Sequence, residues 1–402
     1  MSAKNPSTVF SEMFKFAVVG RGLIGSAATR HLTESTDGVV VIGPEEPVER
    51  QSHHGVFASH YDEGRMTRII DSSPEWSIIA QRSISQYHDL ERRSGVSFFT
   101  PAGYLGIGGP GQTYNDECER IGLSMGANLA RLNASQIREH YPFLNVSDDA
   151  DGLTESGSAG YISPRSLVKA QSILAEKGGA TVVNDFAVSV SGGSRGVEIT
   201  TSAGGLISAE KAIVATGAFT QGLNLSHRDL GLSVYGRTVV LARLDEALLK
   251  HFTGMPTMIH SASGAYILPP IQYPDGCHYL KIGIGTDADP RLDSPEKLDR
   301  WFKGSGSESD REQFTDILKT LFPALKTCQE WHTDTCATTY TASRLPIIDY
   351  VVKDRILIAV GGCGNAAKGS DDWGFIAASI LFGHPWEHPI KREKLLLEPV
   401  DD

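Results

Sequence analysis

The strongest constraint on the fold of this chain is a glycine-rich turn near its amino-terminal end. Residues 16–19 form an apolar, β-branched run that predicts a buried strand, and residues 26–32 predict an amphipathic helix. Between them stand Gly20, Gly22 and Gly25, which have the GxGxxG spacing of a dinucleotide-binding turn. Gly20 allows a tight turn, Gly22 lets the backbone approach a pyrophosphate, and Gly25 lets the helix pack closely on the strand.

A second apolar run at residues 39–42 completes a strand–helix–strand unit around this turn. A pyrophosphate would lie at the helix N-terminus, where N–H groups and the helix dipole favour negative charge, so Leu23 and Ile24 are also predicted contacts. Proteins of this kind usually end the second strand with an acid that binds the ribose. Here Gly43 ends the strand, so either Glu45 reaches the ribose or the ribose is bound in another way. A tight turn without a ligand is the alternative.

The composition excludes some classes of function. The 402 residues give room for about two to three domains, and a net charge of −11 argues against nucleic acid or an anionic membrane as partner. Residues 1–12 lack the apolar segment of a signal peptide, and no apolar run is long enough to cross a bilayer. Five scattered cysteines without a CxxC pair fit a reducing compartment and offer no zinc site. We therefore expect a cytoplasmic enzyme without a metal, either monomeric or a weak homodimer.

Strand–helix–strand segments alternate with antiparallel runs along the chain, which predicts two interleaved domains. A Rossmann-like α/β domain would bind the nucleotide, and an α+β domain with an antiparallel sheet would bind the substrate. Within them we expect a single helix over residues 75–91 and a single strand over residues 152–162. The predicted segments are 14–95, 150–225 and 330–390 for the nucleotide-binding domain, and 96–149 and 226–329 for the substrate-binding domain.

Two further segments are expected to contact the nucleotide. Residues 52–71 hold an unusual density of histidine, tyrosine, arginine and glycine, and loops with such a composition often carry function. A solvated charged loop is the alternative. An apolar strand over residues 209–214 ends in small residues that let a ligand approach the backbone. The predicted contacts in and near these segments are Ser52, His53, His54, Val183, Ala215, Thr216 and Gly217.

Four stretches, in this order, resemble the amine-oxidising flavoproteins of the D-amino-acid oxidase superfamily, and within it the branch of monomeric sarcosine oxidase and N-methyltryptophan oxidase. They are the glycine-rich turn and residues 67–70, 161–164 and 336–368. The resemblance implies bound FAD and oxidation of the C–N bond of a secondary or N-methylated amino acid, or a related amine, to an imine. It also implies that O2 is reduced to hydrogen peroxide.

Other functions compete with this one. A flavin dehydrogenase that passes electrons to a quinone or another protein is the main alternative, because it needs the same cofactor. A nucleotide-binding regulatory protein without turnover would not explain cationic and aromatic residues at four distant stretches. An NAD dehydrogenase would leave the segment 336–368 unexplained.

Cys336 precedes Ile347, Ile348 and Asp349 at the spacing of the cysteine that tethers the flavin in sarcosine-oxidase-like enzymes. The resemblance therefore implies a thioether to the flavin 8-methyl group, which requires a reactive thiolate. A buried free cysteine is the alternative, and Cys328 is a weaker candidate for the tether. In the same part of the chain, the residues predicted to lie beside the cofactor are Gly362, Gly364, Asn365 and Lys368.

The resemblance gives roles to two lysines. Lys281 lies within an apolar strand, where a buried ammonium group is costly without a partner. It matches the lysine that lies near the flavin N5 and promotes electron transfer to O2, and an edge-strand lysine facing solvent is the alternative. Lys368 matches the lysine that binds the substrate carboxylate, with a role at a helix cap as the alternative.

The substrate side departs from the family at two positions. Asp71 stands where the family has a second carboxylate-binding arginine, and Gly285 stands where sarcosine oxidases have an active-site histidine. His60 and Tyr61 are candidates to supply the lost polar group. These departures predict a substrate other than sarcosine.

Arginines elsewhere in the chain offer replacement ligands for a carboxylate. Arg344 resembles the carboxylate-binding arginine of glycine and D-amino-acid oxidases, and guanidinium groups bind carboxylates bidentately. We expect Arg344 and Lys368 to bind the carboxylate, with Arg65 as a second candidate. Arg68 matches a family arginine near the flavin face, and Tyr266 matches an aromatic residue that lines the pocket.

Overall fold

The computed structural model describes residues 13–286 and 288–398, so the expectation for residues 1–12 lies outside the described part. Within that part, the strands form two large sheets and a small one. The strands are β1 Phe14–Val19, β2 Val39–Ile42, β3 Arg65–Thr67, β4 Phe99–Thr100, β5 Tyr104–Gly108, β6 Leu129–Asn133, β7 Asp151–Glu155, β8 Gly160–Ile162, β9 Thr181–Val183, β10 Ala187–Gly193, β11 Gly196–Thr201, β12 Leu206–Val214, β13 Ser233–Leu244, β14 Thr257–His260, β15 Ala265–Gln272, β16 His278–Gly283, β17 Glu330–Tyr340, β18 Ile347–Val352 and β19 Ile356–Val360. The α-helices are α1 Leu23–Thr33, α2 Pro74–Ile84, α3 Tyr87–Ser94, α4 Tyr114–Ser124, α5 Ala134–His140, α6 Pro164–Lys177, α7 Phe219–Gly222, α8 Glu246–His251, α9 Pro295–Lys303, α10 Glu308–Leu321 and α11 Ala366–Phe382. Short 3-10 helices span Pro323–Thr327 and Arg392–Leu395.

The first large sheet is built on parallel strands in the order β9-β2-β1-β12-β19. All of β2 and the apolar run of β1 are buried, as expected for parallel strands that are covered on both faces. The helix α1 connects these two strands, so the predicted strand–helix–strand unit is confirmed. The strands β10, β11 and β18 extend the sheet with antiparallel pairings.

The helices α1 and α11 pack closely on each other and hold the glycine-rich turn at the start of α1. A methyl group on Gly374 of α11 would lie 2.5 Å from Ala27 Cβ and 2.6 Å from the Ala28 backbone nitrogen of α1. Arg30 of α1 and Asp371 of α11 form a buried ion pair of 2.7 Å. The close contact between α1 and α11 therefore depends on the absence of a side chain at Gly374 and on the Arg30–Asp371 ion pair.

The second large sheet has the order β17-β13-β16-β15-β14-β5-β7-β6 and is antiparallel except between β14 and β5. Side chains alternate between the two faces of a strand. On one face, Val240, Ala242 and Leu280 join an apolar core that also includes residues of α5, α8 and α10. The other face carries Arg237 and Cys336 at paired positions of β13 and β17. The predicted α/β fold with an antiparallel-sheet domain is confirmed.

Two predicted elements are wrong in extent. The single helix expected over residues 75–91 is two helices, because its apolar residues pack into two cores: those of α2 against α11, and those of α3 against α6. The single strand expected over residues 152–162 is also divided. The strand β7 belongs to the second sheet and β8 to the small sheet, and Gly157 between them has a φ of +83° that is suited to a turn.

The predicted domain boundaries stay predictions. Both β7 and β17 fall within the segments 150–225 and 330–390 assigned to the nucleotide-binding domain, yet they pair into the second sheet. The chain therefore passes from one sheet to the other inside those segments.

Replacing Gly374 with alanine is expected to lower the urea concentration at which the protein unfolds. Alanine has the higher helix propensity, by about 1 kcal/mol. The added methyl group, however, meets the backbone of α1, and overpacking typically costs about 1–3 kcal/mol. Gly193 is the matched control, since it is exposed and nothing lies within 4 Å of an added methyl group. Circular dichroism in urea should show a lower midpoint for Gly374→Ala and no change for Gly193→Ala; equal midpoints would contradict the packing argument.

Candidate functional site

A cavity extends from the glycine-rich turn to β17, and so joins the first sheet to the second. Its floor is the carboxyl end of the parallel strands, at Val19 and Ile42. Ligands of open α/β sheets bind at this edge. The predicted residues that line this first cavity are Gly20, Gly22, Leu23, Ile24, Ala215, Thr216, Gly217, Cys336, Gly362 and Gly364.

The geometry of the turn requires its glycines. Gly20 has a φ of +106°, and a Cβ there would lie 2.4 Å from the carbonyl oxygen of Ala215. A Cβ on Gly25 would lie 1.8 Å from the carbonyl oxygen of Gly20, so Gly25 permits close packing and does not itself line the cavity. Gly22 caps α1 without a side-chain hydrogen bond, and the first intrahelical bond runs from the Ser26 N–H to the Gly22 carbonyl. The earlier N–H groups of α1 are therefore available to a phosphate.

The predicted ribose contact is not supported. Glu45 does not line the cavity; its side chain is 71% exposed and lies 3.8 Å from Arg21. A side chain at Gly43 is also excluded, because its Cβ would lie 2.6 Å from Arg21 Cβ. The path of the turn past the end of β2 thus explains why no acid stands at the usual position.

Four other predicted contacts lie outside the cavity lining. Ser52 and His54 are exposed, and His53 is bonded to the carbonyl oxygen of Val56 at 3.0 Å. The carbonyl oxygen of Val183 accepts the N–H of Gly43. The residues that line the cavity in their place are Val56, Phe57, Ala58, Ser59, Phe186 and Ala187. His60 and Tyr61, predicted as candidates for the substrate side, also line this first cavity.

His60 contributes a polar atom that has no partner within the described chain. Its Nδ1 is buried and lies 4.0 Å from the position of a Cβ on Gly22. Burial, reinforced by Arg165, Arg21 and Arg65, lowers the pKa of His60 to about 3. The ring is thus neutral at pH 7, and its orphaned nitrogen beside the glycine-rich turn fits a bound phosphate.

A second cavity adjoins the first at Cys336, Thr338 and Gly364. It is covered by the face of the second sheet that carries odd-numbered residues of β13. The predicted residues that line this second cavity are Arg65, Arg68, Tyr266, Asn365 and Lys368.

One end of the second cavity holds two cations and one anion, all buried. Lys368 donates a hydrogen bond of 2.5 Å to Asp71, and Arg68 lies 3.8 Å from the same carboxylate. Burial raises the pKa of Asp71, but Lys368 and Arg68 outweigh it and hold that pKa below its usual range. Burial lowers the pKa of Lys368, and Asp71 opposes this shift. The cluster sets two basic side chains against one acid. The helix-cap alternative for Lys368 is wrong because Asn365 holds the N-cap position.

Lys281 is also buried and paired. It lies on β16 between β13 and β15, so the alternative of an edge strand facing solvent is wrong. Its ammonium donates to Asp62 and to the carbonyl oxygen of Gly64, each at 2.5 Å. Tyr273 donates to the other oxygen of Asp62 at 2.8 Å. Lys281 lines neither cavity, because its amino group is bonded to the loop before β3; burial, reinforced by Arg65, lowers the pKa of Lys281 well below its usual value.

Arg237 lines the second cavity and was not predicted from the sequence. It donates to the hydroxyl oxygens of Thr338 and Tyr340, each at 3.1 Å, and forms an ion pair with Asp289. The criterion that identified Lys281, a basic residue within an apolar strand, would also have identified Arg237. Arg344, by contrast, is exposed, stacks on the Tyr340 ring at 4.7 Å and does not line the cavity, so the structure does not bring it together with Lys368.

The chain is similar to known proteins in sequence and in fold. A family model described as FAD dependent oxidoreductase (DAO) matches residues 15–371. The chain belongs to this family. Monomeric sarcosine oxidase of Bacillus sp. (strain B-0618) is 26% identical over 395 residues, which cover 94% of this chain and 95% of that protein. N-methyl-L-tryptophan oxidase of Yersinia pestis (strain Pestoides F) is 25% identical over 218 residues, or 52% of this chain and 55% of that protein.

Glycine oxidase from Geobacillus kaustophilus has the same fold. Its structure matches 98% of this chain and 100% of its own with a TM-score of 0.74, at 17% sequence identity. The predicted family is thus confirmed, and the chain is an FAD-dependent oxidoreductase. Among the described residues, no helix is long and apolar enough to cross a membrane, and no group of histidine, cysteine and acidic residues could hold a metal ion.

Replacing Asp71 with asparagine is expected to make anion binding at Lys368 depend on pH. Without the carboxylate, the pKa of Lys368 should fall further, by about 1–3 units. Because a lysine loses its charge as pH rises through its pKa, acetate binding should then be lost at lower pH than in the parent protein. At acidic pH the variant should bind acetate more tightly, since both cations are unopposed.

The measurement is an acetate titration followed by the flavin absorption spectrum from pH 6 to pH 10. Asp293→Asn is the control, because Asp293 pairs with Lys297 on the exposed surface. Superimposable pH profiles for Asp71→Asn and the parent protein would show that Asp71 does not set the charge of Lys368.

Proposed function

We propose that this enzyme oxidises the C–N bond of a secondary or N-methylated amino acid, or a related amine, to an imine, and that O2 is reduced to hydrogen peroxide. The observation that carries the proposal is the junction of the two cavities at Cys336. The first cavity begins at the glycine-rich turn, where a dinucleotide pyrophosphate would bind, and reaches Cys336. The second offers a buried corner in which two basic side chains share one acid, suited to the carboxylate of a small substrate.

In this proposal, the first cavity holds FAD, with its pyrophosphate at the start of α1 and near His60. FAD supplies the acceptor for a hydride equivalent from the substrate carbon. The residues of the chain bind and orient the substrate: Lys368 and Arg68 neutralise its carboxylate, and Asp71 keeps Lys368 charged and in place. Tyr266 covers the second cavity from β15 and excludes water. Orientation of the reacting carbon is itself a large part of the rate.

We further propose that Cys336 forms a thioether with the 8-methyl group of the flavin. The thiol S–H bond and one methyl C–H bond would break, and the two electrons and two protons released would pass through the flavin to O2. Its support is placement: Cys336 is half-buried, has no disulfide partner and lines both cavities. Cys328, the other candidate, lies within the apolar core of the second sheet and lines neither cavity.

Acid precipitation tests both the cofactor and its attachment. The parent protein should keep its yellow colour in the acid pellet, because a thioether survives denaturation. Cys336→Ala should release flavin into the supernatant, and Cys328→Ala, the matched control, should retain it. Colour released from the parent protein would rule out the tether, and release by Cys328→Ala alone would assign it to the other cysteine. A screen of secondary amino acids for peroxide formation then tests the activity.

A second candidate function is a flavin dehydrogenase that passes electrons to a quinone or to another protein. The observation in its favour is the pairing of Lys281 with Asp62 and Gly64, which withholds a positive charge from the first cavity. O2 reduction benefits from a fixed positive charge where superoxide develops. For the oxidase, Lys281 must act while paired, or must leave Asp62.

The reaction of reduced enzyme with O2 distinguishes the two functions. For an oxidase, Lys281→Met should slow reoxidation by about 10²-fold or more and leave anaerobic reduction by substrate unchanged. Lys250→Met, a change of an exposed lysine, should alter neither step. If reoxidation of the parent enzyme is faster with a quinone than with O2 and insensitive to Lys281→Met, the enzyme is a dehydrogenase.

A further inference from the structure

We propose that Arg237 and the hydroxyl groups of Thr338 and Tyr340, here called the Arg237 corner, bind an uncharged oxygen acceptor on the substrate. The acceptor would be a hydroxyl or carbonyl group on the N-substituent or side chain. This inference rests on the proposed function, because it places an amino-acid substrate in the second cavity.

The pairing of β13 with β17 brings the Arg237 corner to the second cavity. Arg237 is the paired neighbour of Cys336, and Thr338 and Tyr340 follow Cys336 at alternate positions of the same strand. Side chains at paired and alternate positions point to the same face. All three members line the cavity beside the predicted tether.

The absence of a side chain at Gly285 leaves room for the guanidinium of Arg237. A Cβ on Gly285 would lie 3.0 Å from Arg237 Cζ, so a larger residue there would push the guanidinium away. In the sequence, Gly285 appeared only as the loss of the family's histidine side chain. In the structure, the guanidinium of Arg237 lies in the space beside this glycine.

The Arg237 corner offers donors. The Thr338 and Tyr340 oxygens accept from Arg237, so each hydroxyl proton is available to a ligand. The guanidinium has five N–H groups; it donates from Nε to Thr338 and from Nη2 to Tyr340, and its buried Nη1, which lies against Asp289, makes no hydrogen bond within the described residues. Such a set of donors recognises an oxygen acceptor.

Charge decides which acceptor fits. Asp289, itself buried, already pairs with Arg237, whereas at the other end of the cavity two basic side chains, Arg68 and Lys368, share the single acid Asp71. A carboxylate is therefore favoured at the Lys368 end, and a second carboxylate at Arg237 would be desolvated beside an arginine that already has an anionic partner. The Arg237 corner is thus expected to prefer a neutral hydroxyl or carbonyl group over an anion.

Non-oxidisable thioether acids test this preference without turnover. Calorimetry on the holoenzyme would compare (2-hydroxyethylthio)acetate, (ethylthio)acetate and thiodiacetate. The hydroxyl compound should bind about tenfold more tightly than the ethyl compound, since about one to two hydrogen bonds are gained. Thiodiacetate should bind no better than the ethyl compound. Equal binding of the first two, or tightest binding of thiodiacetate, would overturn the inference, whereas no binding by any of the three would count against the proposed function itself.

Variants test which residues cause the preference for the hydroxyl compound. Gly285→Ala keeps every charge but crowds the guanidinium, and should remove most of the tenfold preference while leaving the affinity for (ethylthio)acetate unchanged. Arg237→Met should also remove the preference, but should weaken binding of all three compounds because Asp289 loses its partner; Arg237→Lys should restore part of both. Arg243→Met, a change of an exposed arginine on the same strand, should keep the preference. A preference that survives both Gly285→Ala and Arg237→Met would show that the Arg237 corner does not bind the hydroxyl group.

Discussion

The candidate site depends above all on the antiparallel pairing of β13 with β17. This pairing sets Arg237 opposite Cys336 and runs the full length of β17. Because side chains alternate along a strand, a shift of one residue would turn the side chains of the shifted strand to the opposite face. That face is apolar: residues of β13 pack there against α5, α8 and α10, and Val234 and Ala337 pack against α9, so the packing fixes the register. The other face of the sheet, which carries Arg237 and Cys336, is therefore the one that lines the second cavity.

Burial then determines how the charges are arranged. Taking an ion out of water is costly unless it has a partner, and three buried or nearly buried cations have one: Lys281 with Asp62, Lys368 with Asp71, and Arg237 with Asp289. Arg68 is held less directly, by Tyr114 and by the ring of Tyr104. At one end of the second cavity two basic side chains, Arg68 and Lys368, therefore share one acid, Asp71, and this is where the proposed substrate carboxylate would bind.

Features that depend on neighbours in the chain could be predicted from the sequence. The spacing of Gly20, Gly22 and Gly25 specified the turn, and its geometry follows. The burial of Lys281 followed from its apolar strand. Its partner could not be predicted, because Asp62 lies 219 positions away in a loop without a periodic pattern. The same loop explains why Glu45, Ser52, His53 and His54 are displaced from the first cavity: residues 56–61 fold back to line it. Arg237 had a visible signal, but its meaning depended on Gly285 and Asp289, which only the folded sheets bring near.

The most direct test of the account is the position of the flavin on the chain. Trypsin cleaves after Lys326 and Arg344, so one peptide, residues 327–344, holds both Cys328 and Cys336. Mass spectrometry with fragmentation distinguishes the two cysteines, because seven residues lie between them. The account predicts that the flavin mass is carried by fragments that contain Cys336 and is absent from fragments that contain Cys328 alone. A peptide without flavin, or flavin on Cys328, would contradict it.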